Sequence, residues 1–170
     1  SGKKAFLLQP FEAARQVSTR ATSLSLVRFD RNDYSVPVCW AHHAVVAKGF
    51  CWEVTLHAQG REVARHPRCW DKEQVCFEPV HYLALLETKP GALDYALPLA
   101  QWDLPVCFGV LRRRLENDRQ GEGVREYIRV LRLLEKHSLG TLRQAVEKAM
   151  EHGAITRDAG AQFLYPREEE

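Results

Sequence analysis

The alternation of apolar and polar residues is clearest in the stretch between Cys51 and His66. Its apolar positions are Trp52, Val54 and Leu56, and its polar positions are Glu53, Thr55 and His57. This period of two is typical of a strand with one buried face. Gly60 can form a turn into a partner strand that begins at Val63, so the pattern predicts a β-hairpin over residues 51–66.

Further extended segments precede this hairpin. The apolar phase changes within residues 24–29, as a β-bulge or the corner of a barrel would require. A turn is predicted over residues 30–33, an extended edge segment ends at Pro37, and another strand starts near Val45. About five short strands that close on themselves predict a small SH3-like five-stranded β-barrel over residues 23–73.

After residue 77 the apolar residues recur at helical spacing. Helices are predicted over residues 79–88, from 103 to about 115, over 124–137, over 140–153 and, as a short final helix, over 156–164. The fold class is therefore predicted to be α+β, with the barrel followed by a helical subdomain of about four to five helices over residues 77–165. Residues 1–22 are predicted to be a linker from a domain upstream, and residues 166–170 a solvated acidic tail.

Composition excludes two classes of protein. The chain has 170 residues, 45% of them hydrophobic, which suffices for a core but not for two large domains. No apolar run approaches the roughly 18 residues of a membrane span. The five cysteines lack C-x-x-C spacing, which argues against an extracellular disulfide framework and favours reduced thiols in the cytoplasm.

Charge is distributed unevenly along the chain. The net charge is only +2, but residues 1–72 hold 11 Lys or Arg against 6 Asp or Glu, whereas residues 73–170 hold 13 against 16. This asymmetry predicts that the barrel faces a polyanion and that the helical part faces protein. The alternative is that solvated charges simply fall this way.

No catalytic constellation is evident. Asp30 and Asp33 could act as paired carboxylates, but aspartate is also an ordinary turn residue and the turn is the better interpretation. Cys39, His42 and His43 with Cys51 contain one zinc half-site, whereas structural zinc requires two regularly spaced pairs. We therefore predict no catalytic residues, no metal site and no cofactor in this chain.

Basic residues give two groups of candidate contacts. The candidates for double-stranded DNA on the barrel are Arg28, Arg31, Asn32, Lys48, Arg65, Arg68 and Lys72. If these residues neutralise about five phosphates, log affinity should fall with log salt at a slope of about −4 to −5. The candidates for a protein partner form a helical stripe at Arg125, Arg129, Arg132 and Lys136. The alternative for this stripe is an ordinary solvated helix face.

Three segments resemble a known family. Residues 25–37 (SLVRFDRNDYSVP), 63–68 (VARHPR) and 77–93 (FEPVHYLALLETKPGAL) resemble, in this order, the barrel entry, the last barrel strand and the following stretch of IstA-type transposases. These are bacterial insertion-sequence enzymes that work with an AAA+ ATPase helper. The resemblance covers roughly residues 6–165.

The resemblance implies the C-terminal part of such a transposase, with a Mu-transposase-like barrel. The catalytic RNase H-like domain and its Asp/Asp/Glu metal site would lie outside this chain. The barrel would bind transposon-end DNA and support transpososome assembly, and the helices would be available to neighbouring subunits or the ATPase helper. The alternative is a protein-interaction module in which the barrel docks onto a sibling subunit and the helices recruit the AAA+ helper ATPase.

Overall fold

The computed structural model describes residues 15–119 and 121–153, which form two compact units. One unit extends to His81 and the other begins at Tyr82. We call the described residues before this boundary the β unit and those after it the helical unit. None of the helices in these residues has the length and apolar character needed to cross a bilayer.

The β unit contains two sheets. Its strands are β1 (Arg15–Arg20), β2 (Leu26–Phe29), β3 (Asn32–Ser35), β4 (Ala44–Gly49), β5 (Glu53–Ala58), β6 (Arg61–Pro67) and β7 (Val75–Cys76). One sheet has the antiparallel order β1-β4-β5-β6, and the other has the order β2-β3-β7. In the smaller sheet β2 and β3 are antiparallel, whereas β3 and β7 run parallel.

Both sheets contribute to one apolar core. In β4 every second residue is buried, because successive side chains of a strand point to opposite faces. The core includes Val27, Phe29, Tyr34, Val45, Ala47, Val54 and Leu56. Gly49 lies directly under the Phe29 ring, since a Cβ there would come within 2.5 Å of it. A larger residue at this position would displace the ring from the core.

Two tight turns fix the hairpins. Asp30 and Arg31 have φ values of 47° and 65°, and Gln59 and Gly60 have φ values of 50° and 76°. Left-handed backbone at both central residues is the signature of a two-residue turn that matches strand twist. The hairpin predicted over residues 51–66 is confirmed as β5 and β6.

Several strand predictions need correction. Within the described chain the strands form two separate ladders rather than one closed barrel, so the SH3-like five-stranded arrangement is not confirmed. Residues 15–20, assigned to the linker, form β1, whose single valine gave little alternation to detect. The phase change within residues 24–29 comes from a turn in which Ser25 has a φ of 59°, not from a bulge. The observed bulge lies between β5 and β6, beside Leu56 and His57.

The helical unit contains five α-helices in the described residues. They are α1 (Leu83–Thr88), α2 (Leu97–Ala100), α3 (Val106–Arg119), α4 (Gly121–Leu131) and α5 (Leu139–Glu151). Shorter 3₁₀ turns occupy Pro79–Tyr82, Pro90–Tyr95 and Arg132–Glu135. The predicted linker residues 1–14, the final helix over 156–164 and the acidic tail lie outside the described residues.

Local residues explain the helix boundaries and packing. Ser138 caps α5 by accepting a hydrogen bond from the Thr141 amide, so α5 begins at Leu139, one residue before the predicted start. Gly123 precedes the predicted start of the helix over 124–137, but the structure includes it in the helix. It lies inside α4, where a Cβ would come within 2.2 Å of the Leu115 carbonyl oxygen of α3. The glycine therefore allows α3 and α4 to approach closely.

Candidate nucleic-acid interface

Asn32 joins the β2–β3 turn to the loop that follows β6. Its side-chain nitrogen donates to the carbonyl oxygens of Cys69 (3.1 Å) and Asp71 (2.7 Å), and its side-chain oxygen accepts from the Gln74 amide (2.9 Å). The Glu73 amide also donates to the Arg31 carbonyl. Because Asn32 is fully buried, these bonds hold the loop without competition from water.

We call residues 28–33 and 68–74 the hairpin–loop site. It brings together five of the seven predicted DNA contacts, namely Arg28, Arg31, Asn32, Arg68 and Lys72. The site has four basic and four acidic side chains, so its formal net charge is zero. Because the net charge of the site is zero, a polyanion is not attracted by the site as a whole. Any attraction must come from individual exposed cations.

Two of the predicted contacts in the site are engaged internally. Arg28 forms hydrogen bonds of 2.7 Å to both carboxylate oxygens of Glu73 and a longer one to Asp33. The hydrogen bond from Arg28 lowers the pKa of Glu73. Asn32 is not available for contact because it is buried. Asn32 thus shapes the site from within, whereas Arg28, with 47% of its side chain exposed, would have to leave Glu73 to bind a ligand.

Arg68 is also part of the structure of the site. Its side chain is only 10% exposed, donates to the Phe50 carbonyl oxygen (2.8 Å) and pairs with Asp30 (3.3 Å). Its guanidinium lies over the ring of Trp70, at 4.1 Å from the centroid. Arg68 would have to leave these partners to contact a phosphate, so its predicted DNA contact stays a prediction.

Arg31 and Lys72 remain exposed. Neither side chain has a carboxylate oxygen within 4 Å among the residues that the structure describes. Both belong to segments fixed by Asn32, so their backbones are held in place while their charged ends face solvent. They are the two cations of the site that can bind a phosphate without first breaking an ion pair.

Lys48 and Arg65 lie elsewhere, on the outward face of the larger sheet. Thr55 pairs with Lys48 on one side and with Arg65 on the other, which places the two basic residues about 10 Å apart. Arg65 is held by Glu53 (2.8 Å) and Glu62 (2.8 Å). In the described part of the chain, Lys48 has no such partner.

Two exposed tryptophans, one within the hairpin–loop site and one next to it, were not among the predicted contacts. Trp70 is 63% exposed and Trp52 is 81% exposed. Alternation placed Trp52 on the buried face with Val54, but β5 begins one residue later, so the strand pattern does not apply to it. The available signal was the position of Trp70 within a run of charged residues.

Three of the four predicted partner contacts, on α4 and the 3₁₀ turn after it, bind Glu87 within the helical unit. Glu87 of α1 pairs with Arg129 (2.9 Å) and Arg132 (2.7 Å), and its carbonyl oxygen accepts from Arg125. Burial alone would raise the pKa of Glu87, but the hydrogen bonds from Arg132 and Arg129 outweigh it and lower the pKa. The three arginines hold α1 in place through Glu87, and their predicted contact with a partner protein stays a prediction. Lys136 is exposed and has no carboxylate oxygen within 4 Å among the described residues.

A neutral hydrogen-bonded cluster lies at the other side of β3. His66 donates to the Ser35 carbonyl oxygen (2.6 Å), and the Ser35 hydroxyl lies 2.8 Å from Nδ1 of His81. The Glu78 amide donates to the same hydroxyl (2.8 Å). Burial and the neighbouring His66 lower the pKa of His81 to about 3, and burial lowers the pKa of His66. Both histidines are therefore neutral near pH 7.

The candidates for catalysis and metal binding are not brought together. Asp30 pairs with Arg15 and Arg68, whereas Asp33 pairs with Arg28. No group of three His, Cys, Asp or Glu side chains in residues 15–119 and 121–153 is placed to hold a metal ion.

Comparison with known proteins identifies similar sequences. Residues 8–78 match the family model of the Mu transposase C-terminal domain. The chain is 31% identical, over 92% of its length, to a transposase for insertion sequences IS1326/IS1353 of Pseudomonas aeruginosa and to one of the same description from Shigella flexneri. It is 31% identical, over 88% of its length, to a transposase of Aminobacter aminovorans. The chain spans 30–31% of the length of these curated relatives, and no solved structure matches it.

Proposed function

Because this chain belongs with the insertion-sequence transposases, and residues 8–78 with the Mu transposase C-terminal domain family, we propose that its β unit binds DNA during transposition. The Mu transposase C-terminal domain is a non-catalytic region of a transposase. We therefore assign the β unit a binding role at transposon ends. The breaking and joining of DNA strands would belong to another part of the protein.

The observation that carries this proposal is the pair of exposed cations in the hairpin–loop site. Arg31 and Lys72 lie on two segments joined by hydrogen bonds, so both can reach the same stretch of a phosphate backbone. Lys48 adds a third cation that no described carboxylate neutralises. With about three phosphates neutralised, the slope of log affinity against log salt becomes about −3, shallower than the −4 to −5 expected from the sequence.

Charge reversal tests this proposal. Arg31→Glu combined with Lys72→Glu should weaken binding to a transposon-end duplex about tenfold or more at low salt, and the slope should become shallower by about two. Arg113→Glu combined with Arg114→Glu makes the same charge change on exposed residues of α3 and serves as the matched control. Fluorescence anisotropy across a salt titration measures both quantities. Equal weakening by the two double variants would contradict a localised contact.

Assembly with other subunits is a second candidate function, for the helical unit. Tyr95, Leu97 and Val106 are large apolar side chains that remain exposed. Nearby, a cavity of about 220 Å³ is lined by Leu93, Leu99, Trp102, Leu104, Tyr127 and Leu131, with Arg112 and Asp94 at its polar side. A neighbouring transposase subunit or the AAA+ ATPase helper could cover such a surface.

This second function predicts a separation of effects. Tyr95→Ser with Leu97→Ser should reduce self-association or capture of the ATPase helper, measured by sedimentation and pull-down, while duplex affinity stays unchanged. A loss of duplex affinity instead, with normal assembly, would contradict it.

A further inference from the structure

Trp52 and Trp70 belong to adjoining segments at one end of the β unit. The Arg68 amide donates to the Trp52 carbonyl oxygen at 3.0 Å, and Trp70 follows Arg68 by two residues. Both indoles are largely exposed, although an exposed tryptophan leaves more apolar area in water than any other side chain. Two of the four tryptophans of the chain therefore face solvent where these segments meet.

Trp70 is held in place rather than free to collapse onto the core. The Arg68 guanidinium stacks on its ring at 4.1 Å and is itself fixed by the Phe50 carbonyl oxygen and by Asp30. The loop backbone on either side is bound by Asn32. One face of the indole rests on a fixed cation, and its 63% exposure leaves the other face to solvent. Such an arrangement binds a flat ligand without an ordering cost.

The nearby charges indicate the ligand. Arg31 and Lys72, the cations without an ion pair in the described chain, flank the loop that carries Trp70. A planar apolar ligand with negative charge along one side is what this combination fits, and an unpaired nucleotide has that chemistry. In an intact duplex the base faces are stacked on one another, and only the edges are accessible. An indole has a single N–H donor and reads such edges poorly.

We propose that the corner formed by Trp52, Trp70, Arg31 and Lys72 binds unpaired nucleotides of DNA. Trp70 stacks on an unpaired base, Trp52 supports a neighbouring base, and the two cations bind the connecting phosphates. This proposal rests on the proposed DNA role of the same site and adds a preference for strands that are not paired.

The experiment compares two probes: a fully paired duplex, and the same duplex carrying an unpaired tail. The tailed probe should bind the wild-type chain more tightly. Trp70→Ala should weaken binding of the tailed probe by about fivefold or more, the loss expected for one base stack, and should leave the paired duplex nearly unaffected. Trp70→Phe should restore much of the loss because it retains an aromatic face, and Trp52→Ala should weaken only the tailed probe.

Leu85→Ala removes an exposed apolar side chain from the helical unit, away from Tyr95 and Leu97, and is the control. Thermal unfolding of each variant separates loss of binding from loss of folding. Equal affinity for the two probes, or unchanged affinity in folded Trp70→Ala and Trp52→Ala, overturns the proposal while duplex binding can still stand. A tryptophan effect on self-association alone overturns it in favour of a protein contact. Binding of the tailed probe without any duplex binding supports it and removes the proposed duplex function.

Discussion

The β unit and the helical unit differ in the polar contacts that hold them together. The β unit has surface ion pairs but is also stabilised from inside by neutral groups, with Asn32 holding the loop and Ser35 joining two histidines. The helical unit is stabilised at its surface by ion pairs centred on Glu87. Buried neutral hydrogen bonds are insensitive to salt, whereas half-exposed ion pairs are weakened by it. The two units should therefore respond differently to acid, truncation and salt.

Acid should have the largest effect, and it should act on the β unit. Near pH 7 the His81 side chain is neutral in both the folded and the unfolded chain. Below about pH 6.5 this side chain takes up a proton in the unfolded chain but not in the folded chain, where its pKa is about 3. Stability should therefore fall by about 3 kcal/mol between pH 6.5 and pH 4. Denaturant unfolding of the wild-type chain and of His81→Gln between pH 6.5 and pH 4 measures this fall in stability. If His81→Gln shows the same pH dependence, His81 is not the cause.

Truncation of Asn32 should have the next largest effect. Asn32→Ala leaves two carbonyl groups and one amide without their partners and should destabilise the β unit by about 2 kcal/mol, independently of salt. The control is Gln74→Ala, since the Gln74 side chain is exposed and donates only to the Lys72 carbonyl oxygen. Chemical unfolding of both variants at two salt concentrations makes the measurement. Equal stability of the two variants would show that the loop does not depend on Asn32.

Loss of the Glu87 charge should have the smallest effect. Glu87→Gln removes two ion pairs with partly exposed arginines, so we expect a loss of about 1 kcal/mol at low salt that shrinks as salt is added. Because the pKa of Glu87 is lowered in the folded state, its contribution is present at neutral pH and is lost as the pH falls through that pKa. The exposed pair of Arg143 and Glu147 offers a control, and Glu147→Gln should cost only a few tenths of a kcal/mol. A loss that salt does not reduce would contradict the ion-pair explanation.

The sequence predicts well where the pattern is local. The β5–β6 hairpin, the turn after Phe29 and the amphipathic helices follow from periodicity and turn residues. β1 escaped prediction because Val17 is its one strongly apolar residue, and its place in the sheet comes from pairing with β4. β7 is two residues long and exists only by pairing with β3. Elements that depend on a distant partner carry little signal of their own.

The same limit applies to the candidate site. Five of the predicted contacts do lie together in the structure. Their positions in the sequence do not indicate which acidic side chains form ion pairs with them. Arg28 pairs with Glu73, 45 residues later, and Arg132 pairs with Glu87, 45 residues earlier. An arginine that forms an ion pair therefore cannot be distinguished, from the sequence, from one that does not. Only the fold separates Arg31 from Arg68.

The left-handed turn at Asp30 and Arg31 has a consequence for which substitutions at this turn would stabilise the protein. The second central position of such a turn is best suited to glycine, and a long side chain there costs about 1 kcal/mol of backbone strain. Arg31→Gly should thus increase the folding stability of the chain and, on the proposed function, lower its affinity for DNA. Selection for thermal stability alone would favour glycine at this position, so folding stability and DNA binding are opposed at a single residue.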